Sequence, residues 1–340
     1  MPRSFSRCLP HLLHSLALLV LLATSAASPA AAQIPKTAKT TATKKAPAST
    51  PKPLLNGTPT FRTSDSVQLF VKIAGRGVPC LFVHGGPGAG THAFEVLGGR
   101  ALENQLQLIY LDQRGSGRSG SAPRQNYRLD RMVQDLEELR QQLGLPRWVL
   151  LAHSFGGVIA TAYATRYPQR VQAIILANGV LNPSASLASM VQYGDSLLPA
   201  AARPALPPTA PLPQRFGMVM QALGQHKLDY QLQYASDTAA ARAARVVRQQ
   251  PGNHDFAAKV FGLPEYGQDF APATARLLMP VLVLAGHDDF AAGPRHYQSF
   301  RFPRQRVVGL PGRHNSLTEN PALARQAVRA FVAQLPAARP

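Results

Sequence analysis

Residues 148–157, Trp-Val-Leu-Leu-Ala-His-Ser-Phe-Gly-Gly (WVLLAHSFGG), decide how the rest of the chain is read. Residues 148–152 are an unbroken apolar run, the pattern of a strand buried on both faces. A helical segment follows over 155–167. Ser154 stands on the turn between them, with Ala152 two residues before it and Gly156 two residues after. A serine on a tight strand-to-helix turn needs small residues at both places, and the helix N-terminus beneath it favours negative charge. The stretch is a nucleophile elbow of the G-x-S-x-G kind, with Ala152 in the first glycine's place, and Ser154 is the candidate nucleophile.

Outward from the elbow, strands and helices alternate. Residues 67–73 suit a strand of an opening hairpin. Short buried strands are expected at 80–84, 107–112, 171–177, 280–285 and 306–310. Leu129, Met132, Val133, Leu136, Leu139 and Leu143 make one face of a helix over 129–143, and 321–335 closes the chain as an amphipathic helix. Continuous apolar strands alternating with helices imply a mostly parallel sheet covered on both faces. The alternation breaks between about 182 and 275, where a Pro-rich run (ARPALPPTAPLP) leads into helical sequence. This reads as a mainly helical cap inserted over the C-terminal edge of the sheet, where open α/β sheets place their sites. The core is then 58–181 and 276–340, and the cap 182–275.

A serine hydroxyl needs a base and an acid that orients the base, in the chain order Ser, acid, His for this layout. His314, in LPGRHNSLTENP, is the one histidine of the last strand-to-helix loop. The strand PVLVLA ends in Gly286-His287-Asp288-Asp289, and either aspartate could serve. Asp289 is favoured because a carboxylate three residues past the glycine can turn back toward the histidine loop. After the strand 171–177 stands Asn178, so the acid position used by some relatives holds no acid. His84-Gly85-Gly86-Pro87-Gly88 follows another strand. Its glycines let backbone approach the nucleophile, so that the Gly86 and Phe155 N–H groups can face a developing oxyanion. His84 and Gly85 support that loop. The spacing fails both the phosphate-loop and the dinucleotide patterns.

The chain has 340 residues, 45% apolar and 16% charged, with a formal net charge of +19. Residues 1–32 read as a secretory signal: Arg3 and Arg7, a short apolar run from Leu12 to Ala23, and Ala30-Ala31-Ala32, with cleavage before Gln33. A spanning helix needs about 20 apolar residues, and His14 and Ser15 interrupt this run. Residues 33–57 form a flexible Lys/Thr/Pro-rich linker without acids. Without the leader's two arginines and the linker's five lysines, 29 basic residues face 17 acids, scattered rather than gathered. That distribution, with no zinc finger or basic helix, excludes a nucleic-acid partner. The expected product is exported, periplasmic or secreted, with no stable membrane insertion once the leader is gone. Cys8 and Cys80 are the two cysteines, too few for a disulfide scaffold or a Cys-built zinc site.

HGGPG at 84–88 and DQRGSGRS at 112–119 resemble the paired signatures of the proline iminopeptidase family, serine peptidases of the α/β-hydrolase superfamily. The segment LLAHSFGGVIATAYATRYPQRVQAIILAN is similar to the superfamily's elbow and following helix. The resemblance covers about 58–337. It implies the α/β-hydrolase fold with a cap, Ser154, Asp289 and His314 as a triad, and Gly86 and Phe155 as oxyanion donors. Asp112, Arg114 and Arg118 would brace the site loop. Ala152 stands where the family has Gly, and Phe155 where it commonly has Trp. The expected activity is cleavage of short peptides or aminoacyl amides through an acyl-enzyme, with no metal or organic cofactor. Small carboxylic esters are the alternative substrates, and a catalytically silent envelope binding protein is a second alternative. An aminopeptidase must hold a substrate ammonium with carboxylates. Asp255 and Glu265, flanked by aromatics in NHDF and LPEY, are the candidates in the cap.

Overall fold

The computed structural model describes residues 54–207, 209–250 and 252–336. The leader read over 1–32, with Cys8 in it, and linker residues 33–53 lie outside the described residues. The described chain opens on a short hairpin, Phe61–Arg62 (β1) against Gln68–Leu69 (β2). The main sheet consists of Val71–Gly75 (β3), Val78–Val83 (β4), Leu106–Leu111 (β5), Trp148–His153 (β6), Val171–Ala177 (β7), Val281–Gly286 (β8) and Gln305–Leu310 (β9). Their order is β3-β5-β4-β6-β7-β8-β9, with β3 antiparallel to β5 and every other pair parallel. The run 67–73, expected as one strand, is two. At Phe70 the backbone N–H donates to Ser119 Oγ at 2.8 Å, so the ladder passes there from β1 to β5.

The core helices are His92–Leu97 (α1), Leu129–Gln142 (α2) and Gly156–Arg166 (α3). The cap helices are Pro183–Leu197 (α4), Leu212–Gln225 (α5), Asp237–Arg248 (α6) and Asp255–Lys259 (α7), followed by Ser316–Glu319 (α8) and Pro321–Val332 (α9) of the core. Strand side chains alternate between two apolar layers. Leu81, Leu150, Ile174 and Val283 pack with α2 and α3 on one face. Phe82, Leu151, Ile175 and Leu284 pack with α1 and α9 on the other. Each large side chain so buried contributes about 1.5–3 kcal/mol, which is why these strands read as unbroken apolar runs. Helix α2 stops where the apolar period ends, at Leu143, and Gly144 takes the left-handed conformation just beyond it.

The chain moves from β4 outward to β5 and then back across β4 to β6, so the loops after β4 and β6 diverge at the sheet's switch point. The segment between β7 and β8 carries α4 to α7; α4, α5 and the turn at 229–232 surround a small apolar centre of Val191, Phe216, Val219, Leu223 and Leu232, while Phe256 of α7 packs into the core layer. Helix α4 starts where Asn182 accepts from Ala185 N–H ahead of Pro183. Two strips tie this segment to the core. Gly117 and Asn253 exchange backbone hydrogen bonds at 3.1 and 2.7 Å, and Asn315 N–H donates to Gln233 O at 3.0 Å.

Candidate active site

The turn between β6 and α3 holds Ser154 in the left-handed region, at φ 53°. A non-glycine residue there costs on the order of 1–2 kcal/mol, offset by what surrounds it. Ser154 N–H donates to Ala177 O, and its carbonyl accepts from Gly157 and Val180 N–H. The turn is crowded on both sides. A Cβ on Gly156 would strike the carbonyl oxygen of Val83, and one on Gly85 would lie 2.7 Å from both His153 O and Ser154 Cβ. Glycine at these two places lets the loop after β4 lie directly against the elbow.

His314, on the loop between β9 and α8, is buried beside the serine: its Nε2 is 2.7 Å from Ser154 Oγ. On the ring's far side, Nδ1 lies 2.9 Å from Asp289 Oδ1. The carboxylate holds the proton on Nδ1 and leaves Nε2 to accept from the hydroxyl. Asp289 is fully buried, whereas Asp288 beside it is exposed. Ala291 and Ala292 N–H groups donate to Asp289 Oδ1 at 3.1 and 2.8 Å. Burial alone would raise the Asp289 carboxyl, but the charge and hydrogen bond of His314, with His296 and the Ala292 N–H, bring it below its ordinary value.

Asn178 completes the acid's surroundings. It is fully buried, and its Nδ2 donates to Asp289 Oδ2 at 2.7 Å. Ser316 Oγ donates to Asn178 Oδ1 at 2.7 Å, which fixes the amide with its donor toward the carboxylate. In the sequence, only its place at a strand end, where some relatives carry an acid, points to this residue. His153, next to the serine, lies 3.2 Å by Nε2 from His314 O. Burial, then the nearby His314, push its imidazole down to about 4, so it is neutral at pH 7.

The glycine loop is braced from beneath. His84 Nε2 accepts from Gln113 N–H at 3.0 Å, and Gln113 Nε2 donates to His84 O at 2.9 Å. Asp112 accepts from Thr91 N–H, Thr91 Oγ1 and the Arg118 backbone and guanidinium, and so clamps the loop after β4 to the loop after β5. Arg114 is fully buried and reaches Asp65 and Asp135, each through two hydrogen bonds of 2.6–2.8 Å. Among the described residues, neither the Gly86 nor the Phe155 N–H donates to a protein acceptor, so both stay available at the elbow.

Asp255 and Glu265 lie on the other side of Phe155, around an aromatic cluster. The Phe155 ring is 6.3 Å from Phe256 and 5.6 Å from Tyr266. Asp255 is exposed and accepts from Tyr127 Oη at 3.3 Å, and Glu265 faces the Arg128 guanidinium at 3.8 Å. Neither is hydrogen-bonded to Ser154, His314 or Asp289.

A hydroxyl with an imidazole acceptor, an orienting carboxylate and two free backbone donors can attack a carbonyl and shelter the oxyanion that forms. The family model described as alpha/beta hydrolase fold matches residues 78–321. The chain is 29% identical over 239 residues to a proline iminopeptidase of Lactobacillus delbrueckii subsp. bulgaricus, covering 65% of this chain and 79% of that one. It is 34% identical over 120 residues to one from Neisseria gonorrhoeae, 34% of this chain and 38% of that one. Among solved structures, the proline iminopeptidase-related protein from Thermus thermophilus superposes with a TM-score of 0.67 at 24% identity, over 83% of this chain and 98% of that one. An esterase from Exiguobacterium antarcticum gives 0.61 at 18%, over 81% and 99%.

Proposed function

The chain belongs to the alpha/beta hydrolase fold family, and on that premise we propose that it is a serine hydrolase working through an acyl-enzyme, an aminopeptidase of the proline iminopeptidase kind. The observation that carries this reading is the unbroken hydrogen-bond chain from Ser154 Oγ through His314 to Asp289. In the proposed reaction Ser154 Oγ attacks the scissile carbonyl as its proton passes to His314 Nε2. Asp289 steadies the imidazolium, and the Gly86 and Phe155 N–H groups receive the oxyanion. His314 then gives the proton to the leaving nitrogen, the C–N bond breaks, and an acyl-serine remains. A water molecule, deprotonated by His314, hydrolyses it. A carboxylate nucleophile, as haloalkane- or epoxide-type hydrolases require, would have to stand where Ser154 is.

The substrate class is a short peptide or aminoacyl amide with a free amino terminus, in keeping with the named relatives. Asp255 and Glu265 would hold the ammonium. One observation favours the second reading, a carboxylesterase: Glu265 already faces a guanidinium, so an ammonium must compete with Arg128 for it. Export, with cleavage before Gln33, is proposed from the leader alone, and N-terminal sequencing of the mature protein tests it.

The deciding experiment compares proline p-nitroanilide, its N-acetylated counterpart and p-nitrophenyl acetate on purified protein. The aminopeptidase reading expects the free amide to be turned over well and the blocked one poorly. It also expects Glu265→Gln or Asp255→Asn to raise KM for the free substrate alone. Equal handling of free and blocked amides, with faster ester turnover, would give the esterase reading the lead. No turnover and no labelling by a serine-directed probe would leave the binding protein.

A further inference from the structure

The elbow is held by the core, whereas the loops bearing the other two residues of the chain are held by the core, through Asn178 and His153, and by the cap as well. On either side of His314, a residue reaches the segment 231–235. The Arg313 guanidinium donates to Gln231 O. Asn315 N–H donates to Gln233 O at 3.0 Å, and Asn315 Nδ2 to the same carbonyl at 3.3 Å and to Gln233 Oε1 at 3.1 Å. Two residues further on, Ala235 N–H donates to Glu319 Oε1 at 2.9 Å. Residues 229–232 form a single 3₁₀ turn, and Leu232 within it is buried in the cap's own apolar centre.

The acid's loop is gripped in the same way. Ser189 and Ser186 of α4 donate to Phe290 O and Ala291 O at 2.9 and 2.7 Å. These carbonyls lie in the turn whose N–H groups bind the Asp289 carboxylate. The Phe290 ring stacks on Tyr193 of α4 at 4.5 Å, and the Arg313 guanidinium covers it at 4.8 Å.

We propose that the cap is a positioning element for the base and the acid, with Asn315–Gln233 and Ser189–Phe290 as its two grips. This rests on the serine-hydrolase reading of the site. The cap then sets catalytic rate as well as substrate access: a grip that loosens lets the imidazole drift from Ser154 Oγ. A misplacement of about 1 Å costs up to about a hundredfold in rate, and a single lost hydrogen bond about tenfold.

The test measures the rate at which a fluorophosphonate labels Ser154, together with kcat and KM for p-nitrophenyl acetate, a substrate too small to need the cap for binding. Wild-type labelling that is lost in Ser154→Ala upholds the underlying reading, and wild-type protein that fails to label overturns that reading rather than the cap's role. Given labelling, Asn315→Ala and Ser189→Ala should each slow it about tenfold and lower kcat about tenfold. KM and the melting temperature should change little. Gln233→Ala removes only the side-chain acceptor of the first grip and leaves its backbone carbonyl in place; it should slow labelling and kcat in the same direction as Asn315→Ala but by less, which guards against an effect confined to one loop's folding. Wild-type labelling and kcat in all three variants, or losses confined to KM, would overturn the proposal and leave the cap as a cover over the site.

Discussion

The platform under the site and the cap above it are held by opposite means. The platform, the part of the core under the site, is tied by charge pairs largely withdrawn from water. Arg114 bridges Asp65 and Asp135, while Arg118 bridges Asp112 and Glu95. Within the cap, among the described residues, the one ion pair is Arg203 with Asp195, at 3.9 Å and partly exposed. Its ties to the core are mostly neutral hydrogen bonds, many to backbone carbonyls. Removing one partner of a buried ion pair leaves an uncompensated charge, whereas losing one partner of a neutral hydrogen bond leaves only an uncharged group to satisfy. The platform therefore keeps one geometry, and the cap's attachment can be altered at small cost. The site lies at the seam, with Ser154 on the platform and His314 and Asp289 on loops the cap touches.

The largest effect expected on either side of that seam is chemical. Ser154→Ala should abolish turnover, by on the order of 10⁴- to 10⁶-fold, with an unchanged thermal transition. Purified variant protein that retained the wild-type rate would remove the elbow from the chemistry. Next, Asp289→Asn should lower kcat/KM by roughly 10³- to 10⁴-fold, because the imidazole loses the acceptor that fixes its tautomer. Asp288→Asn, one residue away and exposed, should stay within about twofold. Comparable losses would mean that burial does not separate the two.

Stability tests the contrast itself. Arg114→Met should cost about 3 kcal/mol in urea denaturation, because buried Asp135 loses one of its two guanidinium partners and keeps only Arg131. Arg203→Ala in the cap should cost under about 0.5 kcal/mol. Similar losses at both positions would erase the distinction between platform and cap. The last effect is on pH. Burial lowers His84, and His153 falls to about 4. Below about 6.5 the unfolded chain takes up protons that these folded imidazoles refuse. Stability present above that pH is therefore lost as pH falls toward 4, with about 2 kcal/mol gone by pH 5 from His153. A urea midpoint that does not move between pH 7 and pH 5 would show that these histidines stay open to water.

Much of this molecule was legible along the chain because its information is local. The strand–turn–helix at 148–157 needs only small residues around Ser154 and apolar runs on both sides, and steric rules dictate both. The parallel sheet follows from unbroken apolar strands, and the glycines at 84–88 announce a close backbone approach. Other features depend on contacts between distant segments. Phe70 divides an apparently continuous strand because Ser119, on another loop, takes its N–H. Asp288 and Asp289 share one turn, and burial alone picks between them. Asn178 looks like an empty acid position until the fold sets it 2.7 Å from a carboxylate 111 residues away. Glu265 looks like a free carboxylate until Arg128 faces it. Gln231 and Gln233 carry no motif, because the bonds they offer are largely backbone carbonyls that any residue would supply. Sequence by itself determined which groups could react and on what kind of turn. Tertiary structure decided which of them meet, because hydrogen bonds across a folded interface depend on distances that no local pattern encodes.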